Sequence, residues 1–527
     1  MDLLNVQRSG FEFAMTKDCQ HIQVLKYPSD RDLNELKNFF RRISANYYFN
    51  PQYQKGIWDG FDNFYNNGFI PIGLWSELKN FLEGRNYPVV IAGLEDFLNN
   101  DLNKTEIVEF MTDLFAGSKI TAPYWYQIEA TYLILKYRYC GAELATSSGK
   151  TLIFYTVFAY LKKMGLISKE KKMLLVVPRV GLVSQTSNLF LNEYYNGSFE
   201  FNMCLIGGKN KFKEAALAEA DCVIATYQSL NHIDKKLLKN VKFMAIDEAH
   251  TVLSNSIRTV IRECSPLLWR FGLSGTLLVN EGKAEHFRLM EYLGPIVFIL
   301  KAKDLIDKEK HPDVYIKMIN VEYDWSNKAL SDYNNFKDNG KEQYVDRNKF
   351  ATDLYNIERL MLVENSARMQ FVVKLICGLK MNTLILFNNV KDKYGINMVS
   401  MLKDAGEEVY YIDGGTDTLD REDYSTIMEK SANVKIVASF GTFSTGINLK
   451  NIYNILFAES YKSPILIRQS IGRGMRKLDG KYSINIIDIV DTGFKYSEKH
   501  AAERKRIYRE QGFATDVLEY SLVEKPA

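Results

Sequence analysis

Phe243-Met244-Ala245-Ile246-Asp247-Glu248-Ala249-His250 decides how the rest of the chain is read. Four apolar residues run without interruption, and two carboxylates follow at once. A short apolar run that ends abruptly in polar residues is the pattern of a strand buried on both faces of a parallel sheet. In an open α/β sheet, ligands gather outside the carboxyl ends of the strands, so Asp247 and Glu248 belong at the mouth of a sheet. There Asp247 can hold Mg²⁺, directly or through water. Glu248 can orient and deprotonate an attacking water. The alternative is a helix N-terminus, where the same carboxylates favour the macrodipole.

Upstream, residues 145–151 read Ala-Thr-Ser-Ser-Gly-Lys-Thr. The small side chains of Thr146, Ser147, Ser148 and Gly149 let a loop fold tightly, with its backbone N–H groups aimed at phosphate oxygens. A helix from Leu152 onward presents its positive end to the same anion. Lys150 can reach the β- and γ-phosphates of ATP, and Thr151 can hold Mg²⁺ through its hydroxyl. The general pattern places glycine where Leu144 stands, and glycine is frequent where Ser147 and Ser148 stand. By itself the segment also reads as a helix N-terminus carrying a surface lysine.

From about 118 to 300, further apolar runs alternate with amphipathic stretches: Leu174–Val177 before Pro178, and Val223–Ala225 before Thr226. The pattern restarts after about 370 with Leu384–Phe387, Val409–Ile412, Ile436–Ala438 and Ile484–Ile487. Two α/β sheets in series follow. Residues 303–370 read as a polar connector plus a helix, with helical spacing at Leu354, Ile357, Leu360 and Met361. Residues 1–115 look different, with many aromatics among Asn and Gly, and read as a separate small α+β domain. The expected division is therefore 1–115, 116–302 and 303–527, the last ending in a helical tail.

Composition narrows the function class. The 527 residues are 46% apolar and 25% charged, with a formal net charge of only +3. An all-over basic surface is excluded, so any nucleic-acid site is a local groove. Six scattered cysteines form no CxxC pair, which suggests neither a zinc cage nor a disulfide framework and fits reduced thiols in a cytoplasm. No signal peptide and no membrane span are expected.

In the second sheet domain, Gln469-Ser470-Ile471-Gly472-Arg473-Gly474-Met475-Arg476 puts two arginines three apart, on one face if helical. Guanidiniums suit developing phosphoryl charge. Supplied from a second domain, they would make hydrolysis depend on domain position. A solvated basic helix face is the alternative.

Taken together, these residues resemble superfamily 2 helicases. Tyr126-Gln127 resembles the adenine-reading motif, although the family often has Arg where Tyr124 stands. Ser274-Gly275-Thr276 resembles the motif that couples nucleotide to nucleic acid, with His250 of the DEAH form beside it. Val177-Pro178-Arg179, Gly207-Gly208 and Ala225-Thr226-Tyr227-Gln228 resemble strand-contacting motifs of the first domain. Gly441-Thr442 to Gly446-Ile447-Asn448 resembles that of the second, with Asn448 in place of a common Asp. The DEAH form, the tail from Asp488–Asp491 to His500, Arg504 and Tyr508, and the leading Phe49-Asn50-Pro51 with Gly56–Gly60 are most similar to UvsW-type phage recombination helicases.

The resemblance covers residues 118–510. It implies two tandem RecA-like parallel-sheet domains with a small α+β N-terminal accessory domain for DNA. It implies ATP and Mg²⁺ as ligands, with Gln127, Thr146, Ser147, Ser148, Gly149, Lys150 and Thr151 around ATP and Thr151 and Asp247 on the metal. Glu248, Gln469, Arg473 and Arg476 form its catalytic set; His250, Ser274 and Thr276 couple. Arg179, Gly207, Gly208, Thr226 and Thr442 meet the track.

The expected function is an ATP-driven DNA motor acting on branched or forked DNA in recombination, repair or replication restart, in the host cytoplasm if phage-encoded. An RNA or RNA–DNA hybrid helicase, or a nucleotide-gated nucleic-acid clamp, are the alternatives. Residues 1–117 carry eleven Lys/Arg against sixteen Asp/Glu, which opposes a broad phosphate-binding face there. Trp58, Phe61 and Tyr65 could stack on bases, but their spacing fits a helix core better. Lys505, Arg506 and Arg509 read as a solvated helix face.

Overall fold

The structure is a computed structural model. It describes residues 10–522, apart from 46, 99–101, 121, 198, 208–213, 265, 278–282, 310, 324–327, 345–346, 389, 417, 444–448 and 450. It divides into two compact units, Met1–Leu300 and Lys301–Ala527.

The first unit is built on a seven-stranded sheet in the order Ile296–Leu300, Tyr139–Leu144, Trp269–Ser274, Val241–Asp247, Lys172–Val177, Cys222–Thr226, Met203–Ile206. Every neighbouring pair is parallel. The central strands are buried along nearly their whole length, which is why their sequences are continuous apolar runs rather than alternating ones. The chain leaves Tyr139–Leu144 through helix Lys150–Lys163 and re-enters the sheet beyond two intervening strands, so the loops after Leu144, Asp247 and Ser274 end side by side at the carboxyl edge.

The N-terminal segment has its own mixed sheet, with Phe69–Pro71, His21–Lys26 and Glu12–Met15 antiparallel in turn and Ile91–Ala92 parallel to Glu12–Met15. It shares one hydrophobic core with the parallel sheet. Helix Ala284–Leu293 is the junction: Phe287 meets the rings of Phe39, Phe40 and Phe64 at 6.4, 6.3 and 5.5 Å. A Cβ on Gly73 would lie 2.1 Å from the Met290 carbonyl oxygen, so only glycine permits this contact. Trp58, Phe61 and Tyr65 do not form a helix, contrary to the spacing argument. Gly60 turns the chain at φ +85°, Phe61–Asn63 is a short strand, and the Trp58 indole N–H caps the Phe61 carbonyl at 2.8 Å.

The second unit holds another seven-stranded, all-parallel sheet, in the order Val409–Ile412, Lys435–Ser439, Thr383–Phe387, Asn454–Phe457, Ser483–Asp491, Asp313–Glu322, Ala514–Ser521. Two tandem parallel-sheet domains with a small α+β N-terminal domain are thus present, as expected. Three of these strands lie where none was expected: Asn454–Phe457, Asp313–Glu322 inside the supposed connector, and the edge strand Ala514–Ser521 beyond the tail helix Lys495–Glu510. The tail residues are structural anchors. Arg504 and the Tyr508 hydroxyl close on the buried Asp488 at 2.8 Å, and Arg368 closes on Asp491 at 2.6 Å. Arg506 pairs with Glu503 and Glu510 on the helix surface, as a solvated face should.

Among the described residues no helix is long and apolar enough to cross a membrane. All six cysteines are free thiols.

Candidate nucleotide site

Residues 145–149 form a tight loop between the buried end of strand Tyr139–Leu144 and helix Lys150–Lys163. Leu144, which replaces a glycine of the general pattern, is fully buried in the strand, so the loop begins one residue later. Ser147 adopts φ +73° and Gly149 φ +79°. The left-handed serine costs about 1 kcal/mol or more. Gly149 caps the helix, and a Cβ there would lie 2.6 Å from the Gln127 side-chain nitrogen. Gln127 is 5% exposed and bridges two elements: its oxygen accepts the Tyr124 N–H at 2.9 Å and its nitrogen donates to the Ser148 carbonyl at 3.0 Å. The Ser148 hydroxyl is buried without a hydrogen-bond partner. A buried orphan hydroxyl in a strained loop at a helix N-terminus suits an anion that is not otherwise present.

Lys150 begins the helix and points its ammonium at Glu248, 3.5 Å away. Glu248 lies just past strand Val241–Asp247 at φ +48°, which swings its carboxylate back over the sheet edge. Its N–H donates to Asp247 Oδ1 at 2.9 Å. The Ser274 hydroxyl, fully buried at the end of the neighbouring strand, lies 3.3 Å from the other Glu248 oxygen and 2.8 Å from His250 Nδ1. It also accepts the Thr276 N–H at 3.2 Å. Lys150, Glu248, Ser274 and His250 therefore form one polar chain across three loops. A small residue makes this approach possible: a Cβ on Gly272 would stand 2.5 Å from that of Ala249 and 2.8 Å from Leu293 Cδ2.

The electrostatics follow from this crowding. Burial and the adjacent Glu248 push the Asp247 carboxyl up to about 6. Burial works against the charge on Glu248, but Lys150 and His250 outweigh it and hold that carboxyl below its ordinary value. Burial likewise opposes the Lys150 charge, and Glu248 and Asp247 overcome it, holding the ammonium above its ordinary value. His250 is held down, chiefly by burial. Thr151 and Asp247 supply hard oxygen donors at this same edge, the ligand type Mg²⁺ requires.

Glu143 escaped the sequence reading. It is 7% exposed inside strand Tyr139–Leu144 and accepts the Leu277 N–H at 2.7 Å, tying down the loop after Ser274. The available signal was a lone carboxylate within an otherwise apolar strand.

In the second unit, Gln469 and Arg473 lie half-buried on helix Pro464–Gly474. Arg476 is not on that helix, contrary to expectation: the helix stops at Gly474, and the Arg476 N–H reaches the Arg473 carbonyl at 3.3 Å in one tighter turn. Burial holds the Arg476 guanidinium below its ordinary value.

Among the track residues, Arg179 is a half-buried N-cap of helix Val180–Asn188, and Gly207 is buried beside Val183 and Thr226. The Thr226 hydroxyl, 1% exposed, lies 2.9 Å from the Ser229 hydroxyl and caps the next helix. Ser439 and Thr442 repeat that hydroxyl pair at 2.8 Å at a strand end of the second unit. Thr226 is thus a local cap, whereas in the second unit Ser439 takes that place and accepts the Thr442 N–H at 3.3 Å. Gly208 and residues 446–448 lie outside the described residues. In the N-terminal segment an open groove is lined by Tyr27, Lys37, Asn38, Arg41, Asn63, Tyr65 and Asn66.

The chain is 28% identical over 519 residues to the ATP-dependent DNA helicase uvsW of Enterobacteria phage T4, spanning 94% of this chain and 97% of that protein. The crystal structure of T4 UvsW superposes with a TM-score of 0.48 at 24% identity, over 98% of this chain and 100% of that one. The fold is shared with the DNA-bound, ATP-dependent Type ISP restriction-modification enzyme LlaBIII, at a TM-score of 0.53 and 14% identity over 76% of this chain and 32% of that one. Residues 15–92 match the DNA helicase UvsW N-terminal family, 124–280 the DEAD/DEAH box helicase family and 367–477 the helicase conserved C-terminal domain. With these three matched in that order, the chain carries both domains of a DEAD/DEAH box helicase behind a UvsW-type N-terminal domain, and is an ATP-hydrolysing enzyme.

Proposed function

We propose that this chain is an ATP- and Mg²⁺-dependent DNA helicase that unwinds or branch-migrates branched DNA in recombination, repair or replication restart. The observation that carries the reading is the polar chain Lys150–Glu248–Ser274–His250, which joins the loops of three adjacent strands at the carboxyl edge of a parallel sheet. A carboxylate kept ionised by Lys150 can take a proton from water, and its link to Ser274 and His250 ties that act to a neighbouring loop.

The roles follow from the chemistry of each group. Amides of 146–150 and Lys150 receive the phosphates, and Gln127 holds the loop while offering its remaining donor and acceptor to adenine. Thr151 and Asp247 would hold Mg²⁺, which supplies positive charge to the β- and γ-oxygens when bound. Glu248 orients and deprotonates the attacking water. Arg473 and Arg476, with Gln469, stabilise the developing phosphoryl charge. Arg179, Gly207 and Thr226 in one unit, with Thr442 in the other, border the sugar–phosphate track, and the N-terminal groove adds Lys37 and Arg41. Backbone reading makes the motor tolerant of sequence.

The test is ATP hydrolysis and strand displacement measured on single-stranded DNA, forked DNA, a four-way junction and RNA, with ATP and with a non-hydrolysable analogue. Stimulation greatest on forked or junction DNA, and displacement only with ATP, is the expected result. Greater stimulation by RNA would move the track to RNA, and binding without displacement would make the protein a clamp.

A further inference from the structure

Helix Pro464–Gly474 ends without the left-handed glycine that commonly satisfies terminal carbonyls; its cap residue, Met475, stays at φ −73°. The last carbonyls of a helix need donors from elsewhere. Here two side chains outside the helix provide them. The Lys481 ammonium donates to the carbonyls of Gly474 and Arg476, the latter at 3.4 Å. His311 Nδ1 lies 3.0 Å from the Met475 carbonyl oxygen. Three consecutive carbonyls are therefore fastened from outside the helix. Both side chains are buried, Lys481 at 5% exposure and His311 at 7%.

The opposite side of the same turn is fixed by packing. A Cβ on Gly474 would lie 2.8 Å from Ile484 Cδ1 and 3.0 Å from Ile455 Cδ1, so the turn is pressed onto strands Ser483–Asp491 and Asn454–Phe457. Lys481 and His311 lie just ahead of the strands Ser483–Asp491 and Asp313–Glu322, which pair in parallel along nine residues. The groups facing Lys481 are the Arg476 guanidinium and the Tyr453 ring, 5.7 Å away; Lys477 faces His311. Burial and the Arg476 guanidinium push the Lys481 ammonium down to about 7, a cost that helix termination alone, which water or a glycine can satisfy, does not require.

We propose that His311 and Lys481 are positioning residues for the arginine turn, holding the backbone of 474–476 so that Arg473 and Arg476 are presented in one fixed orientation. This rests on the phosphate-facing role given above to the two arginines. Lys481 lies beyond the region matched by the helicase C-terminal family, which ends at residue 477, and His311 precedes it. Neither residue contacts nucleotide in this reading; each acts through the carbonyls it holds.

The experiment measures kcat and KM for ATP, fluorescent-nucleotide affinity, DNA affinity and thermal melting on the full chain. The variants are Lys481→Met, Lys481→Arg, His311→Phe and, as reference, Arg476→Ala. Lys481→Met and His311→Phe are expected to lower kcat about 10-fold or more, because a catalytic group misplaced by about an ångström loses most of its effect. KM for ATP and both affinities should stay within about twofold, since the lost interaction belongs to the transition state. Lys481→Arg, which keeps donors in reach of the carbonyls, is expected to recover most of the rate. A merely structural role would lower the melting temperature and leave kcat per folded molecule unchanged. If Lys481→Met does not fold, His311→Phe carries the test. A folded Lys481→Met or His311→Phe at the parent kcat, with Arg476→Ala impaired, overturns the positioning role. Arg476→Ala at the parent rate overturns instead the catalytic reading beneath it.

Discussion

Glu248→Gln is the substitution whose consequences are best defined by the geometry. The amide has nearly the carboxylate's shape, keeps an oxygen toward the Ser274 hydroxyl, and leaves the φ +48° backbone untouched. What disappears is a charge and a base. Lys150, 3.5 Å away, loses its nearest anion but keeps Asp247 as a second one. The pair is partly solvated, with side chains 13% and 21% exposed, so the stability cost is about 1–3 kcal/mol, below that of a fully buried pair. Nucleotide affinity should hold or rise slightly, because the lysine is freed for phosphate.

Turnover should fall about 100- to 10,000-fold, or ~3–5 kcal/mol of barrier, the usual contribution of a positioned general base. Steady-state ATP hydrolysis beside fluorescent-nucleotide titration separates the two effects. If Glu248→Gln turned over within about threefold of the parent while binding nucleotide normally, the general-base assignment would be wrong.

Three other perturbations probe separate parts of the molecule. Gly149→Ala places a methyl group 2.6 Å from the Gln127 amide at φ +79°, and nucleotide affinity should drop ~10-fold or more; an unchanged titration curve would count against the loop geometry. Burial, with Lys462, Arg504 and Lys499 adding, pushes the His500 imidazole down to about 4, whereas in the unfolded chain it titrates near about 6.5. Between those values the unfolded chain binds the extra proton, so stability present above about pH 6.5 is lost as pH falls toward 4, by ~2 kcal/mol after screening. Urea unfolding on both sides of that window should show the loss in the parent and less of it in His500→Gln; equal losses would refute it. Charge reversal at Lys37 and Arg41 in the N-terminal groove should weaken DNA binding ~10-fold and reduce the slope of log affinity against log salt by about 2; an unaltered slope would remove the groove from the track.

The parts of the fold that were legible are those whose physics leaves a contiguous mark. Leu174–Val177 and Phe243–Ile246 are buried on both faces, so every residue is apolar and the run stands out from its surroundings. Asp313–Glu322 buries one face through Val314, Ile316 and Met318, and the other only toward its end, through Ile319 and Val321. Its alternation with Lys and Asn was absorbed into the general polarity of the segment. Trp58, Phe61 and Tyr65 have helical spacing, but Asp59-Gly60 between them favours a turn, and the turn wins.

In the site, the loop glycine, Lys150, Asp247 and Glu248 were legible because phosphate chemistry demands those types close together in sequence. Gln127, Ser274 and His250 were legible only through the family's motifs, since the contacts that unite them cross three loops. Glu143 left only a lone carboxylate in an apolar strand, and His311 and Lys481 left no pattern: each is a single polar residue whose partner is a backbone carbonyl or amide on another element.

The central proposal is that Glu248 and Arg476 both serve ATP hydrolysis. A double-mutant cycle in single-turnover ATP hydrolysis with DNA, using Glu248→Gln, Arg476→Ala and the two together, tests it most directly. Groups that serve one transition state lose their effects non-additively. That proposal predicts that each single variant binds ATP and hydrolyses it slowly, and that the double variant is hardly slower than the worse single one. Arg476→Ala hydrolysing ATP at the parent rate, or a double variant slowed by the full product of the two single effects, would contradict it.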